Sequence, residues 1–238
     1  MLLFYVRHGD PIYSPDSLTP LGHRQAEAVA KRLALYGIDR VFSSDSHRAV
    51  LTATPTSELV KKPIEQLPFC NESLAWKDFA IDRGDGHHTW CFAHPETKRL
   101  MLLPEVLALG ERWHEHPSLA QYGFGQGVER INREVDGWLT SLGYEHDRES
   151  GSYRAVAPND KRIALFAHQG FGLSFLSSLL DIPYPLFCTH FDMSHTGMTV
   201  IDFAQVDGIA IPKVLQLAGD SHLYREGLPT AYNNVLRF

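Results

Sequence analysis

The sequence predicts an α/β fold in which helices cover both faces of a mostly parallel sheet, with an inserted cap segment. Short apolar runs of strand length alternate along the chain with segments whose apolar residues recur at helical spacing. The runs over 2–6 and 163–167 are continuously apolar, which is typical of strands buried on both faces. The chain has 238 residues, of which 44% are hydrophobic and 21% charged, so it is long and apolar enough to bury one large core. Because no internal repeat or long linker interrupts it, we expect one domain over 1–238.

The N-terminal segment has the pattern strand, loop, helix. The first strand spans residues 2–6, and the segment 11–16 is rich in proline and polar residues, which predicts a loop. Thr19 followed by Pro20 is typical of a helix N-cap and the first helical residue, and Gly37 is typical of the residue that ends a helix.

The next elements continue this alternation. They are a strand at 40–43, a helix over 47–60 and a weak strand at 64–67. Pro55 lies inside the helical segment, and we expect a kink or a break there because proline lacks an amide hydrogen.

Residues 69–125 have no regular period, and we interpret approximately 73–125 as a cap inserted over the functional site. Trp76, Trp90 and Trp113 either line a substrate pocket or form the small core of this insertion, and the sequence favours neither. The later chain is predicted to contain a helix over 128–142, a polar loop over 144–160, a strand at 163–167, a helix over 171–180, and strands at 198–203 and 213–217.

Three of the predicted strands end in polar clusters. Ligands of parallel sheets bind beyond the carboxyl ends of the strands, so these clusters are candidates for one site. Imidazole and guanidinium groups meeting at the N-termini of the following helices would form a pocket for a phosphoryl group. A histidine between cations has a lowered pKa and stays neutral, which makes His8 the candidate nucleophile. The clusters are Arg7-His8-Gly9, residues 43–48, and His168-Gln169-Gly170.

These clusters belong to a set of ordered motifs that resembles the histidine phosphatase superfamily, also called phosphoglycerate-mutase-like. The resemblance implies a phosphoglycerate-mutase-like α/β fold and covers both ends of the chain, leaving about 73–125 unmatched. The motifs are Arg7-His8-Gly9, the L-T-x-x-G-x-x-Q-A pattern over 18–26, Ser-Ser-Asp-Ser-His-Arg-Ala over 43–49 followed by Thr52-Ala53, Asn71-Glu72, His168-Gln169-Gly170, and Asp-Ser-His-Leu over 220–223.

The resemblance implies a role for each matching residue. His8 would accept the phosphoryl group, while Arg7, Arg48 and His168 would hold its oxygens. Glu72 would protonate the leaving oxygen and then activate water; a positioned acid of this kind typically contributes about 10²- to 10⁴-fold. Glu58, Glu65 and Asp78 remain alternatives for this acid.

The chain departs from the family pattern at three places. Pro11 and Ser14 stand where the family often has threonine and asparagine. We therefore expect the side-chain contact to phosphate at this place, for which Ser14 is the candidate, to be shortened or lost. Gln169 follows the second histidine where glycine is usual, and its backbone amide would still donate to phosphate. The arginines that phosphoglycerate mutases use for the substrate carboxylate have no clear counterpart near Glu72, which favours a phosphatase over a mutase.

Other chemistries lack their motifs. We expect no cofactor and no metal, because the histidines and aspartates of 82–116 have no recognised metal-ligand spacing. None of the cysteines begins the C-x₅-R pattern of cysteine phosphatases, and the chain has no G-x-x-x-x-G-K-[ST] or G-x-G-x-x-G loop.

Charge and cysteine content suggest the partners and the compartment. The formal net charge is -6, which argues against nucleic acid or an anionic membrane as a partner, so any anion has to be bound in a local basic pocket. The partner that the resemblance implies is a small phosphorylated substrate. An odd number of cysteines, 3, without a C-x-x-C pair suits a reducing compartment, and the first apolar run is too short for a signal peptide, so we expect a cytoplasmic protein.

The function that the sequence predicts is a metal-independent phosphomonoesterase that forms a phosphohistidine on a small phosphorylated metabolite. Two alternatives remain open at this point. One is phosphotransfer of the phosphoglycerate mutase type, and the other is a non-catalytic protein that binds a phosphorylated ligand.

Overall fold

The computed structural model of the protein describes residues 1–232. Its helices are α1 (Pro20–Tyr36), α2 (His47–Val60), α3 (Glu72–Phe79), α4 (Pro95–Met101), α5 (Pro104–Leu107), α6 (Phe124–Ser141), α7 (Gln169–Leu180), α8 (Tyr184–His190) and α9 (Ser221–Arg225). Short 3₁₀ turns occupy Pro68–Cys70, Gly110–Glu115 and Ala120–Tyr122.

The strands alternate with these helices over most of the chain. They are β1 (Leu2–Arg7), β2 (Pro11–Tyr13), β3 (Asp16–Leu18), β4 (Arg40–Ser43), β5 (Ile64–Gln66), β6 (Ala80–Asp82), β7 (His88–Trp90), β8 (Tyr144–Asp147), β9 (Ser152–Ala155), β10 (Arg162–Ala167), β11 (Met198–Asp202), β12 (Gln205–Val206), β13 (Ile209–Ala210) and β14 (Lys213–Gly219).

A six-stranded sheet in the order β14-β11-β1-β10-β4-β5 forms the centre of the protein. The strands β1, β10, β4 and β5 pair in parallel, while β11 and β14 join one side in antiparallel. The predicted α/β fold with a mostly parallel sheet is therefore confirmed. Because β1, β4 and β10 are parallel neighbours, their carboxyl ends meet at the same edge.

Both faces of this sheet are covered by helices, as the continuous apolar strands predict. Along β1, Phe4 and Val6 pack in a cluster with α1 and α2 residues such as Val29 and Ala53. The alternate residue Tyr5 faces the larger cluster, which contains the apolar residues of α6 and α7. Successive side chains of a strand point to opposite faces, so each buried position of β1 contributes to one of two cores.

The predicted boundaries of α1 are confirmed by its caps. Thr19 has extended backbone angles, and its side chain accepts a hydrogen bond from the amide of Gly22 at 3.0 Å. Gly37 ends the helix in the left-handed region with φ 72. These caps fix where α1 begins and ends after the segment that follows β1.

The helix α2 does not break at Pro55. It is continuous from His47 to Val60 with the proline inside it. Its buried residues Ala49 and Ala53 lie on the face that packs on α1, and this packing offsets the hydrogen bond that proline cannot donate.

Two segments predicted to be loops are β-hairpins. Residues 11–16 contribute to the small hairpin β2-β3, and 144–160 contains β8 and β9, which join β13 and β12 in a second, four-stranded sheet. The polar composition of 144–160 is misleading because the hairpin is held by charge: His146 contacts Asp136 and Asp181, and its ring stacks on Tyr153 at 4.0 Å.

The segment predicted as an insertion contains α3, α4, α5 and the β6-β7 ribbon. Trp113 is buried and packs against Phe124 and Tyr184, so it belongs to the core. Trp76 and Trp90, by contrast, line the cavity described below. No helix within residues 1–232 has both the length and the apolar character needed to cross a bilayer.

Candidate active site

A cavity of about 690 Å³ lies at the carboxyl ends of β1 and β4 and the N-terminus of α7. Its walls include residues from all three polar clusters and from the segment after β5, which brings these clusters and Asn71-Glu72 to one site. The lining residues are Arg7, His8, Tyr13, Asp16, Asp45, Ser46, His47, Arg48, Asn71, Glu72, Ser73, Trp76, Trp90 and Gln169.

His8 lies on the floor of the cavity and is only 3% exposed. Its Nδ1 is 2.7 Å from the carbonyl oxygen of Gly9, and because a carbonyl can only accept, Nδ1 carries the hydrogen and donates it. The neutral ring therefore has its lone pair on Nε2. Burial lowers the pKa of His8 well below its usual range, and the fixed positive charges of Arg7 and Arg48 lower it further. An unprotonated Nε2 is the form that attacks a phosphorus atom.

His168 is fully buried and lies beside His8, with the two ring centres 5.2 Å apart. Arg48 donates from Nη2 to Nδ1 of His168 at 3.1 Å, so the proton of the neutral ring is on Nε2, which donates to Ser44 Oγ at 2.9 Å. Burial lowers the pKa of His168 well below its usual range, and Arg48 and Arg7 act in the same direction. The structure thus brings the two predicted histidines together as two neutral imidazoles.

The two predicted arginines are held in different ways. Arg7 is completely buried at the end of β1, where Nη1 donates to the carbonyl oxygen of Met193. Arg48 lies in the first turn of α2, donates from Nη1 to Asp16 Oδ1 at 2.8 Å, and its guanidinium carbon lies 5.5 Å from the centre of the Tyr13 ring. Since arginine keeps its charge in proteins, the floor of the cavity carries two fixed cations.

Glu72 stands on the wall opposite, at the start of α3. Its two carboxylate oxygens accept hydrogen bonds from the backbone amides of Gly170 and Phe171 at 2.9 and 2.8 Å, so this side chain caps the N-terminus of α7. Burial raises the pKa of Glu72, although these two amides, Arg48 and Arg7 partly offset the effect. Of the acids that the sequence left open, only Glu72 lines the cavity.

The two other predicted phosphate ligands are placed differently. Gln169 lines the cavity at the first residue of α7, and its side-chain amide donates to Asp192. Ser14 is exposed in the turn between β2 and β3, and its neighbours Tyr13 and Asp16 line the cavity instead. Tyr13 and Asp16 are cross-strand partners in this hairpin and so lie on one face of it, which a loop pattern in the sequence does not reveal.

Sequence reasoning missed several residues of the site. Asp16 fixes Arg48, and His195 stacks on His8 with ring centres 6.0 Å apart while its Nδ1 lies 3.4 Å from Asp10 Oδ1. These residues lie outside the family motifs and are brought to the site by tertiary packing. In the sequence, Asp16 is distinguished only as the acidic residue of the proline-rich segment 11–16.

The histidines of the insertion do not assemble into a metal site. In the part of the chain that the structure describes, no group of three or more His, Cys, Asp or Glu side chains is positioned to hold a metal ion.

Close packing determines where Trp90 lies over the site. A Cβ added at Gly170 would lie 2.4 Å from the edge of the Trp90 ring, so only glycine leaves room for this indole. A second aromatic residue continues this wall of the cavity: Trp76 contacts Trp90 edge to face, with ring centres 4.9 Å apart.

A comparison with known families agrees with this geometry. The family model described as the histidine phosphatase superfamily (branch 1) matches residues 3–79, which include Arg7, His8, Arg48 and Glu72. Residues 3–79 therefore carry the sequence pattern of the histidine phosphatase superfamily. This confirms the predicted superfamily and, with it, the predicted class of enzyme.

Solved structures extend the similarity in fold to almost the whole chain. A phosphoserine phosphatase from Entamoeba histolytica, in complex with 3-phosphoglyceric acid, is 17% identical with a TM-score of 0.60 over 93% of this chain and 98% of that one. A mycobacterial glucosyl-3-phosphoglycerate phosphatase with inorganic phosphate is 17% identical with a TM-score of 0.53 over 93% and 98% of the two chains. A structure named mycobacterial hydrolase 1 is 16% identical with a TM-score of 0.57 over 92% and 98%.

Identities this low establish a common fold and leave the reaction to be argued from the site. None of the curated protein sequences matches the chain.

Proposed function

We propose that the protein is a metal-independent phosphomonoesterase that acts on a small phosphorylated metabolite through a phosphohistidine at His8. The observation that carries this proposal is the hydrogen bond from His8 Nδ1 to the Gly9 carbonyl, which leaves Nε2 unprotonated on the floor of a cationic cavity. The solved structures of this fold include phosphatases of small metabolites, which is consistent with the proposal.

The reaction follows from the positions of these groups. Nε2 of His8 attacks phosphorus, the bond from phosphorus to the leaving oxygen breaks, and the proton of Glu72 passes to that oxygen. Water then attacks the phosphohistidine while the Glu72 carboxylate accepts its proton, and the bond from phosphorus to nitrogen breaks to release inorganic phosphate. The raised pKa of Glu72 favours the protonated form that the first step requires.

The remaining predicted residues have supporting roles in this reaction. Arg7, Arg48 and the amide at the start of α7 stabilise the negative charge of the phosphoryl oxygens. His168 donates from Nε2, and a phosphoryl oxygen would take the place of Ser44 as its acceptor. We propose that residues 73–125 act as a cap, since Trp76 and Trp90 cover the leaving-group side.

The experiment compares the turnover of p-nitrophenyl phosphate by wild type and by His8→Ala. In a second step the reacting enzyme is rapidly quenched, and the phosphate bound to it is tested for stability to acid. We expect wild-type turnover, an acid-labile phosphoenzyme, and a loss of about 10⁴-fold or more in His8→Ala, as for removal of other catalytic nucleophiles. Ser14→Ala is the matched control, because Ser14 is exposed outside the cavity.

Three results would contradict the proposal. Turnover that survives in His8→Ala excludes the phosphohistidine route. Tight binding of phosphate esters by wild type without turnover would instead identify a binding protein, and interconversion of phosphoglycerates without release of phosphate would identify a mutase.

A further inference from the structure

Charge is distributed unevenly inside the cavity. The two cations, Arg7 and Arg48, belong to the phosphate-binding floor, and among residues 1–232 no lysine and no further arginine lines the cavity. Three carboxylates line the same cavity, at Asp16, Asp45 and Glu72. A phosphate monoester that fills this space therefore meets the two arginines at its phosphoryl end.

The three carboxylates are not equivalent. Asp16 forms an ion pair with Arg48 at 2.8 Å, and both oxygens of Glu72 accept backbone amides. Asp45 accepts only from the neutral side chain of Asn71, at 2.6 Å, and within residues 1–232 it has no ion-pair partner. Asp45 is therefore the carboxylate whose charge is directed to the cavity without a protein cation to neutralise it.

The position of Asp45 is fixed by its neighbours. Asn71 accepts from the backbone amide and the hydroxyl of Ser73 through Oδ1, at 2.9 and 2.7 Å, so its Nδ2 is oriented towards Asp45. An oriented side-chain amide that holds a carboxylate leaves the second oxygen of Asp45 available for a ligand.

Two aromatic residues line the same cavity as this carboxylate. Trp76 and Trp90 are in contact edge to face, with their planes at 89°. The face of an indole attracts a cation, and tryptophan is the best aromatic residue for this interaction.

We infer that the substrate is a phosphate monoester whose leaving group carries a positive charge, such as the phosphate ester of an amino alcohol. The cationic end would lie between Asp45 and the indole of Trp76, while the phosphoryl group lies on Arg7 and Arg48. This inference rests on the proposed function and adds to it the chemical class of the leaving group.

A second groove, of about 420 Å³, provides the contrast. It lies behind Trp90 and Gln169, which line both spaces, and it contains Lys98 and His190. An anionic leaving group that extended into this groove would meet Lys98. The groove therefore supplies the competing outcome of the test.

The experiment measures kcat/KM of wild type for choline phosphate and for 3,3-dimethylbutyl phosphate, which has the same shape without the charge. We expect choline phosphate to be favoured by about tenfold, from one cation–π contact and one exposed ion pair. 3-Phosphoglycerate serves as the anionic ester and is expected to be the poorest of the three.

Two variants test which residues cause this preference. Asp45→Asn keeps the acceptor for Asn71 and removes the charge, so the ratio of the two kcat/KM values should fall about threefold. Trp76→Leu should lower the same ratio by about threefold to fivefold. The matched controls are Lys98→Gln and Phe92→Leu: Phe92 stacks on Trp90 at 5.4 Å but lines the second groove, and neither change should alter the ratio.

The outcomes separate this inference from the proposed function. A ratio of one or less in wild type, or a ratio that Asp45→Asn leaves unchanged, overturns the inference, as does a preference for 3-phosphoglycerate that Lys98→Gln removes. Turnover of p-nitrophenyl phosphate that depends on His8 would still support the phosphomonoesterase in each of these cases. Absence of all turnover in wild type overturns both.

Discussion

The floor and the rim of the cavity are built in different ways. Arg7, His8 and His168 on the floor are 0 to 3% exposed, and each is fixed by a hydrogen bond to the backbone or to a neighbouring side chain. On the rim, Tyr13 is 63% exposed and Trp76 is 38% exposed, and both lie on short elements. The groups that would react are therefore held in one geometry, while those that would contact the leaving group can change with little effect on the sheet.

Substitution of Glu72, on the wall opposite the floor, should have the largest effect on catalysis. Glu72→Gln is expected to lower kcat for an alkyl phosphate by about 10²- to 10⁴-fold, because the leaving alkoxide then departs without a proton. The loss should be much smaller for p-nitrophenyl phosphate, since nitrophenolate is a stable anion. Steady-state kinetics with the two esters checks this difference, and equal losses would show that Glu72 has another role.

The same residue predicts a pH dependence. Glu72 acts as an acid, and its pKa is raised by burial, so kcat/KM for the alkyl ester should fall as the pH rises through that pKa. His8 must be neutral and its pKa is lowered from 6.5 by burial and nearby cations, so the acidic limb should lie below 6.5. The alkaline limb should be absent in Glu72→Gln, and its persistence would assign it to another group.

At the rim, a change in packing should affect the substrate range more than the chemistry. Gly170→Ala places a methyl group against the Trp90 ring and should displace it, which costs about 1 to 3 kcal/mol of stability and changes the ranking of substrates about threefold to tenfold. Gly137→Ala is the matched control: it lies inside α6, where an added Cβ meets nothing within 4 Å, so it should stabilise the protein by about 0.5 to 1 kcal/mol. Identical behaviour of the two variants would contradict this account of Trp90.

Far from the cavity, a substitution should affect stability alone. Asp136 forms ion pairs with His146 and Arg148 at 2.9 and 2.8 Å, and all three groups are partly shielded from solvent. Asp136→Asn should lower the free energy of unfolding by about 1 to 2 kcal/mol with kcat/KM unchanged, as measured by urea denaturation and steady-state kinetics.

The stabilisation by this cluster has a defined pH window. Burial alone would lower the pKa of His146, but its hydrogen bonds to Asp136 and Asp181 outweigh this and raise it from 6.5. The contribution of His146 is therefore complete below 6.5 and is lost as the pH rises through its raised pKa. The hydrogen bonds from His146 and Arg148 lower the pKa of Asp136 from 3.8 against the effect of burial, so its contribution is lost only as the pH falls through that lower value. The measured quantity is the difference in the free energy of unfolding between wild type and Asp136→Asn. A difference that is larger at pH 9 than at pH 6 would contradict this assignment.

The contrast between floor and rim also explains what the sequence could predict. Arg7, His8 and His168 directly follow apolar strands, and the periodicity of those strands is strong enough to place their ends at one edge of the sheet. Glu72 was found only through its family motif, because the short helix α3 has no extended period of its own.

Other features depend on contacts that no local pattern contains. The hairpin at 144–160 is held by Asp136 and Asp181, which lie on other elements, so its polar composition resembled a loop. Asp16 and His195 reach the site through tertiary packing across long sequence distances. Such contacts can be predicted from a single sequence only where a family motif includes the residues that form them.

The two backbone amides that bind Glu72 have a further consequence for the proposed reaction. When the carboxylic acid gives up its proton, the anion left behind is already surrounded by the N–H groups of Gly170 and Phe171. These dipoles are rigid parts of a helix, so they act as a solvent that does not need to reorganise. The base that must next deprotonate water is thus formed in its final orientation at the moment the alcohol departs.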